Sequence, residues 1–550
     1  MASLIQAAER FKRLIEENPY SGQLYAGYGY CLHGLKRYDE SIAALQEAIE
    51  LGVAPAGQMY NIACAHTLAG RKEEALRWLE RSFDAGFTET ETVQNDADVD
   101  SLRGDERFIR ITGLNPPKGV SRDEQWRYDL DFFARRMKQM HWDLYANVCE
   151  TEFKKDVEQL KRDVPNLKDH QVLLRLKKIV ARVGDGHTTM SIRKPDEPNV
   201  PSLPVILYQF TDGLYVRAAD DAHRDLVGAR VLKFGTLEAA DAFEKTKPYC
   251  SVDNPMGHLD GVPLLLCSPL VLQDIGATDN LERAELTLRL RDGSERMVQL
   301  DAIHVTAGGH GQKSETENWP RAHELSGAPV PLYLQKRAST LWREYLPERK
   351  LLYVFFGAIA DPQDSSIERY ARELFAFIES NDVQHLVIDM RTNGGGDTGL
   401  VLPLVHGLIA CDKVNQPGRL FVIIGRRTFS AAQNTVNMIE THTHATFVGE
   451  PTGSRPNFVG ESTWFVLPYH GNRVYCSSRY WQFRVSTDKR VWVEPQLAAP
   501  LSFTQYMENR DPAMEAIARA IDSGWPGHPA TAPASAQGDV RPAAASDISR

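Results

Sequence analysis

From residue 350 the chain alternates apolar runs with amphipathic ones. LLYVFFG, HLVIDM, LFVIIG and ATFVGE are apolar almost throughout, and SIERYARELFAFIES, TGLVLPLVHGLIA and SAAQNTVNMIE lie between them at helical spacing. A strand that is apolar on both sides must be covered on both faces, which is the condition of a parallel sheet flanked by helices. No other feature constrains the fold as strongly. It predicts a βαβ layer architecture for the C-terminal part and puts a functional site at the carboxyl ends of the strands.

The upstream sequence reads differently. DGLYVRAA, GARVLKFGT, AELTLRLRDG and ERMVQLDA alternate apolar and polar residues between Gly and Asp turns, which predicts a small β module over 205–302 with a short helix at 238–246. Residues 122–182 return to helix, with Trp126, Leu130, Phe133 and Met137 as a core stripe. In the first 115 residues Gly29, Ser41 and Ala48 recur 34 positions later as Ala63, Ala75 and Ser82. A 34-residue period with small residues at helix contacts is the tetratricopeptide pattern, and Leu4–Glu17 is expected to add a further helix. Breaks fall at Asn115–Gly119 and at the prolines of Pro195–Pro204, and Gly308–Ser326 reads as a polar loop. Residues 462–502 revert to strands and 511–522 form a closing helix. The Ala-, Pro- and Ser-rich tail is expected to be disordered. The divisions are therefore 1–115, 120–195, 205–302, 327–522 and 525–550.

Composition excludes some partners. With 63 Lys+Arg against 73 Asp+Glu the net charge of −10 argues against nucleic acid, which needs a basic face. No stretch approaches the roughly 20 apolar residues of a membrane helix. Glu9, Arg10, Lys12 and Arg13 interrupt the N-terminus, so no signal peptide is expected and the expectation is a cytoplasmic chain without a membrane partner. The seven cysteines are odd in number and form no CxxC pair, which fits reduced thiols rather than a disulfide frame.

Three places carry candidate chemistry. LFVII runs into the turn Gly425–Phe429, and Ser430 follows immediately before a helix. A serine there has its hydroxyl at the sheet edge, and the N–H of Ala431 on the first helical turn can face a developing oxyanion. The competing reading is a plain helix N-cap. After HLVIDM, Gly394, Gly395 and Gly396 expose backbone N–H groups suited to an anion. Gly394, Gly396 and Gly399 also fit the dinucleotide pattern GxGxxG, with Arg426 and Arg427 available to a phosphate. His187, in Val183-Gly184-Asp185-Gly186-His187-Thr188, sits in a turn from which it can reach another segment, or is simply a turn or core histidine. His442 and His444 form an HxH pair without a third zinc ligand nearby.

In order, GDGHT, LVIDMRTNGGGD, TFSAAQN, VGEPTGSRPNFVGES, DKRVWVEPQ and NRDPAMEAIARAI resemble the serine peptidase family of the C-terminal processing proteases and the tricorn core, over roughly 120–522. The resemblance implies a multidomain α/β chain with tetratricopeptide-like repeats, a helical lead-in, a PDZ-like β module and a ClpP/crotonase-like α/β core. It assigns Ser430 as nucleophile, with the N–H groups of Ala431 and of the Gly394–Gly395 turn as oxyanion hole. Arg455 stands where processing proteases carry a lysine base, and arginine stays protonated. The tricorn-like branch, with His187 as base, fits instead. Gly186 replaces the serine that the tricorn core places before its histidine. Asp488 is the first choice for the relay acid and Glu494 the alternative, with Gln496 a further departure.

The expected function is thus a serine-type peptidase that works through an acyl-enzyme, with no metal and no cofactor. Its partners would be a peptide or protein substrate and a protein docked on the repeats, with Arg427 and Arg455 available to substrate carboxylates. The competing functions are a non-catalytic protein binding a peptide or apolar ligand on a peptidase fold, and a hydrolase of a small ester or amide.

Overall fold

The apolar runs after residue 350 form a six-stranded sheet in the computed structural model, which describes residues 2–87, 89–192, 199–306, 318–363 and 365–526. Across the sheet the strands are Leu341–Leu346, Leu351–Phe356, His385–Asp389, Leu420–Ile424, Thr446–Gly449 and Leu497–Ala498. The first pair is antiparallel and the other neighbours are parallel. Alternate side chains explain the continuous apolar runs. Leu386, Ile388, Val422 and Ile424 pack under helices Ile367–Ser380, Leu402–Ala410 and Ala431–His442. Val387, Phe421, Ile423 and Val448 pack under helix Pro512–Asp522 on the opposite face. The antiparallel edge strand Leu341–Leu346 is an addition that the sequence pattern did not reveal.

Residues 462–502 are less regular than expected. Asn457–Val466 and Arg473–Gln482 make a long hairpin, and between Gln482 and Leu497 there is no strand. The helical lead-in (Arg122–Met140, Glu150–Asp163 and Asp169–Ala181) packs on this hairpin. Trp126, Leu130, Phe133 and Met137 share one core with Phe465, Leu467, Val474 and Cys476. The lead-in then adds its own short strand to the hairpin, Thr189 opposite Tyr475 and Met190 opposite Val474. That pairing brings residues 185–188 to the C-terminal part of the chain.

The β module has five consecutive antiparallel neighbours: Val205–Phe210, Gly213–Ala219, Arg230–Phe234, Arg283–Arg289 and Glu295–Asp301. The expected short helix is Ala239–Thr246. Two more helices follow, Pro255–Leu265 and Pro269–Asp274. Pro255 and Pro269 stand at helix starts, where a missing N–H breaks no bond, and Pro263 lies inside the first of the two.

The N-terminal helices repeat in geometry as well as sequence. Ala2–Glu17 is followed by the hairpins Gly22–Gly34/Tyr38–Glu50 and Pro55–Leu68/Lys72–Asp84. Left-handed turn residues recur at the same spacing: Lys36 (φ 60°) and Gly70 (φ 76°), then Gly52 (φ 87°) and Gly86 (φ 93°). Ser41 Oγ donates to Gly29 O and Ser82 Oγ to Ala56 O, each at 2.7 Å, and a Cβ on Gly29 would stand 2.8 Å from Leu45. The small residues are the close contacts between helices.

The seven cysteines are free, and Cys149 alone is exposed. No helix among the described residues is long and apolar enough to cross a membrane. The expected disordered tail lies, from 527 on, outside the described residues, as do parts of the 195–204 and 308–326 segments.

Candidate active site

Strand Leu420–Ile424 leaves the sheet at Gly425 and turns into helix Ala431–His442. Thr428 fixes the turn: its Oγ1 donates to Met390 O (2.9 Å) and accepts from the Gly425 N–H (3.0 Å). Ser430, at the helix start, has φ 57° and ψ −125°. For a residue with a side chain such a backbone costs about 1–3 kcal/mol. A capping serine has an extended backbone and accepts a helix N–H. Ser430 does neither, because its side chain makes no capping bond. Its Oγ lies 2.9 Å from His187 Nε2, across 243 residues of sequence.

The loop carrying His187 is fixed by the buried Asp185. Asp185 Oδ1 accepts from the N–H of His187 (3.0 Å), the N–H of Thr188 (2.6 Å) and Ser477 Oγ (2.6 Å), while Oδ2 meets His141 Nε2 at 2.9 Å. Burial alone would raise the Asp185 pKa, but the bonds from His141, Ser477 and Thr188 outweigh it and hold the carboxylate below its usual value. A second buried carboxyl, Asp253 from the β module, accepts the Gly186 N–H at 2.7 Å, and burial pushes its pKa up to about 7. The imidazole stacks between Phe429 (centroids 4.5 Å apart) and Phe458 (5.5 Å). A Cβ on Gly460 would come to 3.3 Å from its Cε1, so that glycine makes room for the ring. Burial lowers the His187 pKa to about 4, which keeps the ring neutral.

Among the described residues no carboxylate hydrogen-bonds the His187 ring, and its Nδ1 is buried without a hydrogen-bond partner. Asp488 pairs instead with Arg490 (2.7 Å) and lies 3.5 Å from Arg484. Glu494 accepts from Trp492 Nε1 at 2.5 Å. Neither Asp488 nor Glu494, the expected relay acids, hydrogen-bonds His187 Nδ1: each carboxylate is held by a neighbour close to it in sequence. The imidazole is oriented by aromatic stacking and by its anchored loop. At Gly186, a Cβ would stand 2.7 Å from Phe429, so the ring takes the space a side chain would need.

The glycine turn is placed against Ser430. Gly395 (φ 105°) abuts Ser430, where a Cβ would lie 2.7 Å from Ser430 Cβ, but its N–H donates to Asn393 Oδ1 at 2.9 Å. Gly394 has nothing within 4 Å of its added Cβ. Gly396 and Ala431 line the cleft beside Ser430 and His187, with Asp397, Glu461, Arg479 and Trp481, around a volume of about 490 Å³. A Cβ on Gly396 would fall 1.9 Å from Ile359 O, so the close approach that this glycine permits is to protein backbone rather than to a dinucleotide.

The arginines singled out in the sequence lie elsewhere. Arg426 is buried on Glu450 (2.6 Å) and donates to Gln209 O of the β module (2.7 Å). Arg427 stands 3.6 Å from Asp260, and Arg455 Nε donates to Asp253 O at 2.8 Å. None of the three lines the cleft. His442 and His444 join no cluster of potential metal ligands among the described residues. Asp185, His141, Ser477 and Asp253 were missed. Asp185 alone carried a signal, as the charged residue two positions before the histidine.

Together these elements give the chain an α/β fold. Among solved structures it is similar to mature CPAF complexed with lactacystin, at 12% identity and a TM-score of 0.52, over 73% of this chain and 98% of that one. A CPAF mutant is similar at 11% identity and a TM-score of 0.50, over 73% and 98%. The photosystem II D1 C-terminal processing protease aligns at 13% identity over 73% and 98%, with a TM-score of 0.35. The two CPAF likenesses show the fold. No family model and no curated protein matches the chain.

Proposed function

We propose that this chain is a serine-type peptidase in which Ser430 is the nucleophile and His187 the general base. The observation that carries the reading is the 2.9 Å contact between Ser430 Oγ and His187 Nε2, made by a serine in a strained turn that caps no helix. His187 Nε2 takes the Ser430 proton as Oγ attacks the substrate carbonyl carbon. The resulting oxyanion faces the Ala431 N–H, with the Gly396 N–H as its second donor in place of Gly394 and Gly395. His187 then passes the proton to the leaving amine as the C–N bond breaks. Water, deprotonated by the same nitrogen, releases the acyl group and restores Ser430.

The accessory segments fit this reading. Residues 1–115 act as tetratricopeptide-like repeats for a protein partner, 205–302 as a PDZ-like module for a peptide, and 327–522 as a ClpP/crotonase-like core completed by the lead-in 120–195. Digestion of a peptide library with mass readout tests the activity. Cleaved products are expected. No cleavage, with fluorophosphonate labelling no stronger than in Ser430→Ala, overturns the reading.

The pH profile is a separate check. The base works only as neutral imidazole, and burial lowers its pKa to about 4. Turnover (kcat/KM) is therefore expected to rise with pH through about 4 and to stay flat across the range where a free histidine, at about 6.5, titrates. An acid limb centred near 6.5 contradicts a buried base.

Asp185→Ala removes the acceptor that holds the His187 and Thr188 N–H groups. A displacement of about 1 Å at the base costs about 10²-fold. The variant is expected to lose about that much in kcat with little change in KM, read by steady-state kinetics.

A further inference from the structure

We propose that a second pocket, between the β module and the α/β core, binds a small carboxylate with a benzene-sized apolar body. The pocket has a volume of about 150 Å³. The β module supplies Tyr208, Phe210 and Arg217. The core supplies Ile424 and Gly449, at the carboxyl ends of strands Leu420–Ile424 and Thr446–Gly449. That edge of an α/β sheet is where ligands are usually taken. Tyr333, from the 3₁₀ turn Leu332–Leu334, lines a further side. None of these residues lines the cleft of Ser430 and His187.

The charges around the pocket leave one cation over. Arg391 is held by Asp389 and Asp511, Arg426 is held by Glu450, and Arg427 stands 3.6 Å from Asp260. Arg217 pairs with no carboxylate among the described residues. Its guanidinium lies 5.0 Å from the centre of the Tyr208 ring, and its Nε is buried without a hydrogen-bond partner. Arg321, bridged to the neighbouring Ala218, adds positive charge nearby: burial and the guanidiniums of Arg337 and Arg217 push its pKa down to about 10. The second orphan is the Tyr333 hydroxyl, which is also buried without a partner. Burial raises its pKa, so it stays a protonated donor. One carboxylate serves both groups, because its oxygens accept from a guanidinium fork and from a hydroxyl together. A single uncompensated cation matches a single negative charge, which favours a carboxylate over a phosphate of charge about −2.

Size and walls set the rest of the ligand. A cavity of about 150 Å³ accommodates a benzene-sized body. Phe210, Leu334, Ile423 and Leu501 line it beside Tyr208 and Tyr333, so the body is apolar and the charge sits at one end. Arg427 lines the pocket and is exposed, which leaves one side open to solvent. The pocket lies on a seam that is already bridged: Arg426 Nη1 donates to Gln209 O of the β module at 2.7 Å. A ligand held by Arg217 on one side and Tyr333 on the other adds a second bridge across it. Gly425 and Arg426, which begin the turn that ends at Ser430, also line the pocket.

The test is a calorimetric titration of the full-length chain with sodium benzoate, with a thermal melt beside it. Neither readout depends on the chemistry proposed at Ser430. Benzoate is expected to bind with a Kd below about 1 mM and to raise the melting temperature. Benzamide has nearly the same shape without the charge and is expected to bind at least about tenfold more weakly. Arg217→Met should lose benzoate binding, and Tyr333→Phe, which removes only one oxygen, should weaken it about tenfold. No heat and no thermal shift up to about 10 mM benzoate overturns the proposal. So does benzamide binding as tightly as benzoate, or a titration of either variant identical to wild type. If Arg217→Met folds poorly, the benzamide comparison and Tyr333→Phe decide.

Discussion

Ser430→Ala is expected to abolish fluorophosphonate labelling and to lower peptide turnover by about 10³–10⁶-fold. The size follows from the role. Without Oγ there is no acyl-enzyme, and only the oxyanion donors and substrate positioning remain. Stability is expected to change by less than about 1 kcal/mol. The hydroxyl caps no helix and alanine inherits the same φ of 57°, so the strain is neither relieved nor increased. His187→Ala should fall as far in turnover, and the double variant no further, because the two residues act as a unit. Single-turnover kinetics, probe labelling and a thermal melt on the same preparations check all three statements. An alanine variant labelled as strongly as wild type would remove Ser430 from the chemistry.

Arg391→Met is expected to destabilise the fold by about 3–5 kcal/mol, the usual cost of leaving a buried ion network without its cation. Arg391 Nη1 and Nη2 each reach Asp511 at 2.9 Å, and Nε reaches Asp389 at 2.9 Å. Asp389 also accepts from Tyr353 OH (2.7 Å), and Asp511 caps helix Pro512–Asp522. The network therefore ties a central strand, the closing helix and the start of the glycine turn. Burial raises the Asp389 pKa even with the arginine in place. Without it the carboxyl takes up a proton more readily in the folded state than in the unfolded one. The variant is thus expected to lose further stability as pH rises, because the folded state must then hold or release that proton at a cost. Urea denaturation at two pH values measures both effects. A loss under about 1 kcal/mol would mean that water reaches the pair.

Much of this was legible in the chain. The alternation after residue 350 forecast the parallel sheet because a strand covered on both faces has no room for polar residues. The 34-residue period forecast the paired helices, down to the contacts at Gly29 and Ser82. Ser430 and His187 were legible as motifs, while their contact followed only from the family resemblance, because no spacing rule spans 243 residues. Sequence position does not show which partners hold a carboxylate, and Asp488 pairs with Arg490 and lies beside Arg484, both near it in sequence. The helices at 255–274 lie inside a segment where the strand pattern dominates, and Pro255 and Pro269 start them at a first turn, where proline is tolerated. The arginines drew attention as free charges, and Glu450, Asp260 and the Asp253 carbonyl occupy them.

The lead-in strand at Thr189–Met190 has its partner in Val474 and Tyr475. A ribosome therefore makes His187 first, Ser430 much later, and the hairpin that seats His187 later still. A growing or truncated chain can carry both reactive residues and yet be unable to bring them into contact. On the proposed chemistry, hydrolytic competence arrives only with nearly finished synthesis, and a premature stop anywhere before residue 474 releases a fragment that cannot seat His187 against Ser430.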